Sequence, residues 1–307
     1  MITTVGATTT SIHRLNGDRH LSPAGKAGYF FFNWLNNTFP DRRLDPRMAR
    51  RDFHCSDLAQ CWSHRQPGSS PSRTLSDFFW LTLPWPRIQE ELGAIRVLDV
   101  GCGNGHYGPH LIQWSGNRIA AYAGADLSAQ PSWLALTAAD PRLQFIQADA
   151  SEVARAIPDG TNFVMSQSTI EHLDHDLQFF AHVADRLRRL DSPVLQIHLC
   201  PSAACLKLYL RHGVRQYTPR TLSKITRLFP NSQVAVYRLG GRACNRLHFR
   251  FITWPLMVRG IDFRETRAAE YERRLLDAIE QDMARPQRSP AFYALVMHTN
   301  PRVPLFT

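Results

Sequence analysis

No apolar run in this 307-residue chain approaches the roughly 20 residues that a bilayer-spanning helix needs, which argues against an integral membrane protein. Met1 to Thr10 is polar and Thr-rich and lacks the basic-then-apolar build of a secretory signal, so a soluble, cytoplasmic protein is expected. The six cysteines, at positions 55, 61, 102, 200, 205 and 244, form no C-x-x-C pair. His54-Cys55 and Cys61-x-x-His64 do not have a usual zinc spacing either, and reduced, unlinked thiols are the expectation. Lysine is nearly missing, present only at 26, 207 and 224, so the positive charge is carried by arginine. No internal repeat is visible, which sets aside solenoids and propellers.

What is present is a length suited to one large α/β domain with additions, or two small domains, and an ordinary hydrophobic content of 44%. The net charge of +10 is unevenly placed. Residues 196–307 hold 18 Lys and Arg against 7 Asp and Glu, while the rest holds 18 against 19. An anionic ligand such as a phosphorylated or acidic sugar accounts for such a surplus, and so does a solvated Arg-rich surface.

The most specific stretch is Val97-Leu98-Asp99-Val100-Gly101-Cys102-Gly103-Asn104-Gly105, an apolar strand running into a glycine turn. Asp126 closes the next apolar strand, 21 positions after Gly105. A turn without obstructing side chains, followed by an acid at the neighbouring strand tip, suits a nucleoside: backbone approaches the ligand and the carboxylate accepts from both ribose hydroxyls. The spacing is G-x-G-x-G, with His106-Tyr107 where the third glycine of a dinucleotide site would fall. Asp99, two residues before the first glycine, would repel a pyrophosphate but welcomes an ammonium or sulfonium. These residues favour S-adenosylmethionine over NAD.

From here the chain resembles the class I S-adenosylmethionine-dependent methyltransferases, over roughly residues 90–200. Val97 through Gly105 matches the family's first motif, Asp126 (with Leu127 after it) the ribose acid, and Phe145 through Ala150 the third motif. In that third motif Asp149, beside Ala150, would face the adenine amino group. Phe163 through Leu173 is similar to the fourth, a strand followed by Ser-x-x-x-Leu-Glu-His in the branch that methylates small molecules and sugars. Ser166 and Gln167 close that strand. Asn162 replaces the acid the family often has at its head, an acid that is usually structural. The resemblance thus implies S-adenosylmethionine held by Asp99, Gly101, Cys102, Gly103, Asn104, Gly105, Asp126, Leu127, Asp149, Ala150, Ser166 and Gln167.

Alternating strands, expected at 95–100, 119–125, 143–147, 162–166, 194–199, 233–239 and 292–298, call for an α/β fold. The expected architecture is a Rossmann-like, seven-stranded, mostly parallel sheet with helices on both faces and the last strand antiparallel. Three parts are expected: an N-terminal extension and helical cap (1–73), a cofactor-binding core (74–200), and a substrate-facing segment (201–307) with an insertion at about 240–290. The first 15 residues read as disordered and residues 39–51 as loop. Ser22-Pro23 reads as a helix start, followed by the aromatic run Tyr29 to Leu35, which should pack on the main domain or meet a lipid surface.

Methyl transfer needs a positioned nucleophile and gains from a base. His172 is the first candidate, Glu171 its orienting partner or a holder of an amine, and His212 a substrate-facing group in a family-like His-Gly-Val-Arg-Gln-Tyr-Thr-Pro entry to the next helix. A helix-starting histidine bonded to backbone, and a glutamate that merely favours the helix dipole, are the plain alternatives. His175 and His198 are further candidates, and Arg211, Arg215 and Arg220 are positioned for an anionic group. A metal-assisted variant among relatives would use Glu171, His172 and Asp174, but one short segment is a poor cage for Mg²⁺, and no metal is expected. The expected acceptor is a small molecule or glycan precursor, methylated on a hydroxyl. A nucleic-acid methyltransferase is the first alternative, although the Asn/Asp-Pro-Pro-Tyr motif of amino-group enzymes is absent. A non-catalytic cofactor-binding partner protein is the second.

Overall fold

The computed structural model describes residues 7–155 and 157–306; the disorder expected for residues 1–6 lies outside the described residues. Eight strands form one sheet: β1 (Met48–Asp52), β2 (Ile95–Val100), β3 (Ile119–Asp126), β4 (Leu143–Gln147), β5 (Phe163–Gln167), β6 (Val194–Pro201), β7 (Ser232–Leu239) and β8 (Phe292–Thr299). Their order is β1-β7-β8-β6-β5-β2-β3-β4, and only β8 runs antiparallel, between β6 and β7. The order reverses between β2 and β5, which opens the crevice where such sheets bind ligands.

Side chains alternate across the sheet and feed two cores. On one face Val97, Phe163, Leu195 and Val296 pack with Leu75, Phe78, Leu111 and Leu275. On the other, Leu98, Ala125, Val194 and Leu295 pack with Phe180, Val183, Leu222 and Ile225. Continuous apolar strands such as β6, buried along its whole length, follow from being covered on both sides.

Three expectations change. The sheet has eight strands rather than seven, because Met48–Asp52, read as loop, pairs in parallel with β7 at the sheet edge. Arg50 is exposed and Arg51 half-buried, Met48 is buried, and Asp52 holds Arg238 at 2.7 Å. Residues 7–15 are not loose: Thr10 donates from N and Oγ1 to Asp176 at 2.8 and 2.5 Å, and Gln178 N donates to Thr8 O at 3.0 Å. The helix after β5 starts at Asp176, so residues 168–175 form a looped wall instead of a helical turn.

The helix Pro23–Asn36 starts as expected, with Ser22 Oγ accepting from Gly25 N. Only one of its faces packs: Tyr29 is buried and donates to His212 O at 2.9 Å, while Phe31 and Trp34 are mostly exposed. The insertion between β7 and β8 joins the core through the helix Ala268–Met283, whose Tyr271, Leu275 and Ile279 are buried. Asp282 accepts from Ala243 N and Cys244 N at 3.0 and 2.9 Å, capping the helix Arg242–His248.

Candidate active site

The glycine turn follows β2, and its geometry requires glycine. Gly101 has φ 76°, and a Cβ there would lie 2.2 Å from Thr169 Cγ2. Gly105 has φ 79°, with Phe145 Cε1 2.5 Å from where a Cβ would stand. Asp126 ties the turn to β3 by accepting from Gly103 N at 2.9 Å, and it also accepts from Ser128 N at 3.2 Å. Trp133 donates to Gly103 O at 2.9 Å and stacks on Phe145 at 5.3 Å, bracing the turn from the next helix.

Beside this turn a cleft of about 540 Å³ opens at the carboxyl ends of β2, β3 and β5 and past the end of β4. That volume lies in the range of small-molecule sites. Of the residues expected to meet a cofactor, Gly101, Asp126, Leu127, Asp149 and Ala150 line it. Cys102, Gly103, Asn104 and Gly105 form the turn without lining the cavity. Asp99, Ser166 and Gln167 lie beneath: Ser166 Oγ is 2.8 Å from His198 Nδ1, and Gln167 Oε1 accepts from Trp80 Nε1 at 3.0 Å.

Asp99 is buried, accepts from Tyr122 OH at 2.6 Å, and leaves Oδ1 without a partner. Burial pushes its carboxyl up to about 7; the Tyr122 bond opposes this and the Asp126 charge adds to it. An acid whose folded value is raised loses stability as pH climbs, because the folded state must give up a proton it holds more tightly. The window runs from the unfolded value near 4 to about 7. Between pH 5 and pH 8 the protein is expected to lose about 3 kcal/mol through this group, and Asp99→Asn should abolish that loss. Thermal melts at the two pH values check it; parallel pH profiles for both proteins would contradict it.

Behind His172, at the other end of the cleft, stands a group that the sequence recognised only in part. Glu171 is fully buried, and neither carboxylate oxygen has a hydrogen-bond partner. Its Oε1 lies 3.9 Å from His172 Nε2 and 3.6 Å from His212 Nε2. Asp18 sits behind both rings, 2.6 Å from His172 Nδ1 and 3.7 Å from His212 Nδ1, and accepts from Gly213 N at 3.1 Å. Burial lowers the basicity of His172, but the Asp18 hydrogen bond and the Glu171 charge outweigh it and hold its pKa above the ordinary value. His172 lines the cleft.

Other expected residues do not join this group. His198 is buried under Phe180, and burial pushes its imidazole down to about 3, so it stays neutral. Asp174 turns to Arg19 at 3.0 Å, and His175 Nδ1 lies 3.0 Å from Thr8 Oγ1. Arg215 is fully buried, spends its guanidinium on Leu173 O, Ile170 O, Asp174 O and Thr9 Oγ1, and lies 3.4 Å from the buried Asp176, so no anion from outside the protein reaches it. Arg220 donates to Asn36 O. Asn162 proves structural, donating to Leu92 O and Ala94 O and accepting from Arg96 N at 2.9 Å. Sequence reasoning missed Asp18, because an isolated acid 154 positions before His172 carries no local signal.

Residues 97–189 match the sequence family described as "Methyltransferase domain". This stretch, about a third of the chain, spans the glycine turn, Asp126, Asp149 and the segment carrying Glu171 and His172. No curated protein matches the chain significantly. Among solved structures it is similar to the plantazolicin methyltransferase BamL, crystallised with a triazolic desmethylPZN analog and SAH. The two share 15% identity over 79% of this chain and 90% of that one, at a TM-score of 0.46. It is also similar to a SAM-dependent methyltransferase from Archaeoglobus fulgidus (18% identity, 75% and 95% covered, TM-score 0.44). A third is the Burkholderia thailandensis 1,6-didemethyltoxoflavin-N1-methyltransferase (13%, 92% and 91%, 0.41). Among the described residues, no helix is long and apolar enough to cross a membrane.

Proposed function

We propose that this methyltransferase acts on a hydroxyl of a small molecule or glycan precursor, with the nucleoside end of the cleft at Asp126 and Asp149 and the acceptor end at His172. The observation that carries the reading is the polarity of that one cleft: the carboxylates Asp126 and Asp149 at strand ends on one side, and His172, backed by Asp18 and Glu171, on the other.

The residues present fit the cofactor. The side-chain-free bend at Gly101 lets backbone approach a ligand, and Asp126 keeps lone pairs for ribose hydroxyls beyond those spent on Gly103 and Ser128. Asp149 and Ala150 would flank the adenine and Gly101 the amino-acid part, while Cys102, Gly103, Asn104 and Gly105 shape the turn behind it. Asp99, Ser166 and Gln167 support the floor, and Leu127, mostly exposed, offers an apolar edge to the base. When bound, S-adenosylmethionine supplies an electrophilic methyl group on a sulfonium. The chain positions the acceptor oxygen in line with it, which is worth roughly 7–11 kcal/mol of rate enhancement in well-oriented systems. His172, Glu171 and His212 handle the proton that the acceptor hydroxyl gives up.

Asp126→Ala is expected to weaken S-adenosylmethionine binding about 100-fold, the effect of losing roughly 3 kcal/mol of charge-assisted hydrogen bonds. Asp126→Asn, which keeps one acceptor oxygen, should lose less. Titration calorimetry reads both, and an unchanged affinity in Asp126→Ala removes the ribose assignment. For the acceptor, labelled cofactor is offered with nucleotide sugars, polyprenyl-linked glycans and phenols, and mass spectrometry locates the new methyl. Label appearing instead in generic RNA, with steep salt dependence, would replace the small-molecule reading.

A further inference from the structure

We propose that Glu171, His172 and His212 hold a divalent transition-metal ion, Zn²⁺ or a neighbour such as Co²⁺ or Fe²⁺, with Asp18 orienting both imidazoles from behind. The proposal deepens the reading of the acceptor end of the cleft and rests on it for the ion's purpose, though not for the ion's binding.

The geometry that points there begins with Glu171. A fully buried carboxylate with two unpartnered oxygens is expensive to keep ionised, and nothing among the described residues satisfies it. The two nitrogens facing it stand at 3.6 and 3.9 Å, too far for hydrogen bonds. Two ligands on one tetrahedral Zn²⁺, with bonds of about 2.0–2.2 Å, lie roughly 3.4 Å apart, so the spacing is close to that of a shared ion. One atom from each of the three residues falls within 4.8 Å of the other two.

The site is also built rather than incidental. Three separate segments are pinned together around it: Gly17 N donates to Gly213 O at 2.7 Å, Val214 N to Glu171 O at 2.8 Å, and Gly213 N to Asp18 at 3.1 Å. Both imidazoles turn Nδ1 toward Asp18 and Nε2 toward Glu171. The Asp18 hydrogen bond at 2.6 Å fixes the tautomer of His172 and raises its basicity as a ligand, the usual outer-shell arrangement of such sites, and the same carboxylate faces His212 Nδ1 at 3.7 Å. Asp174, the third ligand suggested by the sequence, is instead paired with Arg19.

Two imidazoles and one carboxylate select a first-row transition ion over Mg²⁺ or Ca²⁺, which prefer oxygen-only shells. Three protein ligands leave at least one position open, and His172 and His212 are each about one-third exposed, so that position faces accessible space beside the cleft. With the ion bound, the three residues would act on the proton through the metal rather than by taking it themselves: an acceptor hydroxyl entering there would become a ligand, its pKa would fall, and its proton would pass to water before the oxygen attacks the methyl carbon. The O–C bond then forms as the C–S bond breaks.

The test is titration of Zn²⁺, and separately of Co²⁺, into the full chain after chelator dialysis, with neither cofactor nor acceptor present. One ion per chain is expected at micromolar affinity or better, with a visible ligand-field band for Co²⁺. Glu171→Gln and His212→Ala should each weaken binding at least 100-fold, Asp18→Asn 10- to 100-fold, and Asp174→Asn not at all, all with unchanged circular dichroism. Absence of stoichiometric binding, or binding that Glu171→Gln and His212→Ala leave intact, overturns the proposal. S-adenosylmethionine affinity, measured in the same preparations, separates this outcome from failure of the functional reading.

Discussion

Gly101→Ala is expected to weaken S-adenosylmethionine binding by at least tenfold and to destabilise the fold by about 2–5 kcal/mol. Two costs combine. Alanine at φ 76° carries about 1–2 kcal/mol of backbone strain. The added methyl would also stand 2.2 Å from Thr169 Cγ2 and 2.3 Å from Thr169 Oγ1, an overlap that costs typically 1–3 kcal/mol to relieve. Relief means moving either the turn or the 168–175 wall, and both border the cleft. Thr169 is not free to swing away, since its hydroxyl donates to Gly101 O and Gln167 O at 3.3 and 3.2 Å. The double variant Gly101→Ala with Thr169→Gly should recover the overlap part and not the strain part, a coupling that thermal melts and calorimetry can read together. Strictly additive effects would show that Thr169 does not press on the turn.

Arg215→Met is the second large effect, a loss of about 3–5 kcal/mol and a melting temperature lower by about 10 °C. Arg215 and Asp176 are both fully buried, 3.4 Å apart. Asp176 is further held by Thr10, Tyr217 OH at 2.9 Å and Leu177 N, and the variant leaves this buried carboxylate without its counter-ion. The guanidinium also gathers the carbonyls of Ile170, Leu173 and Asp174, which form the wall carrying Glu171 and His172. Arg215→Lys should rescue little, because one ammonium cannot reach acceptors spread around a planar fork. A lysine variant as stable as the parent would mean that charge alone, rather than the fork, holds the wall.

Much of this molecule was legible from local pattern. The seven strands expected from the alternation of strands and helices lie within one or two residues of those found, because strands buried on both faces, such as β6, read as continuous apolar runs. The turn 101–105 and Asp126 fell together, as a motif with a fixed backbone shape must. What stayed hidden depended on distant partners. Met48–Asp52 carries two adjacent arginines and becomes a strand only because β7 offers an open edge. The threonines at 8–10 read as a floppy tail, yet Asp176 and Arg215 give them bonds that no neighbouring residue announces. The same reasoning explains Asp18. Its acid gains meaning only once Gly213 and two imidazoles from separate loops are folded against it. His212 keeps its place through Gly213, whose φ of 64° and close approach to Glu171 O exclude a side chain.

A crystal structure of the full chain grown with S-adenosylhomocysteine measures the central claim most directly. The account predicts the adenosine in the cleft between Gly101 and Asp149, both ribose hydroxyls within hydrogen-bonding distance of Asp126, and the sulfur end directed toward His172. A nucleoside bound anywhere else on the sheet, or one whose ribose lies away from Asp126, would contradict it.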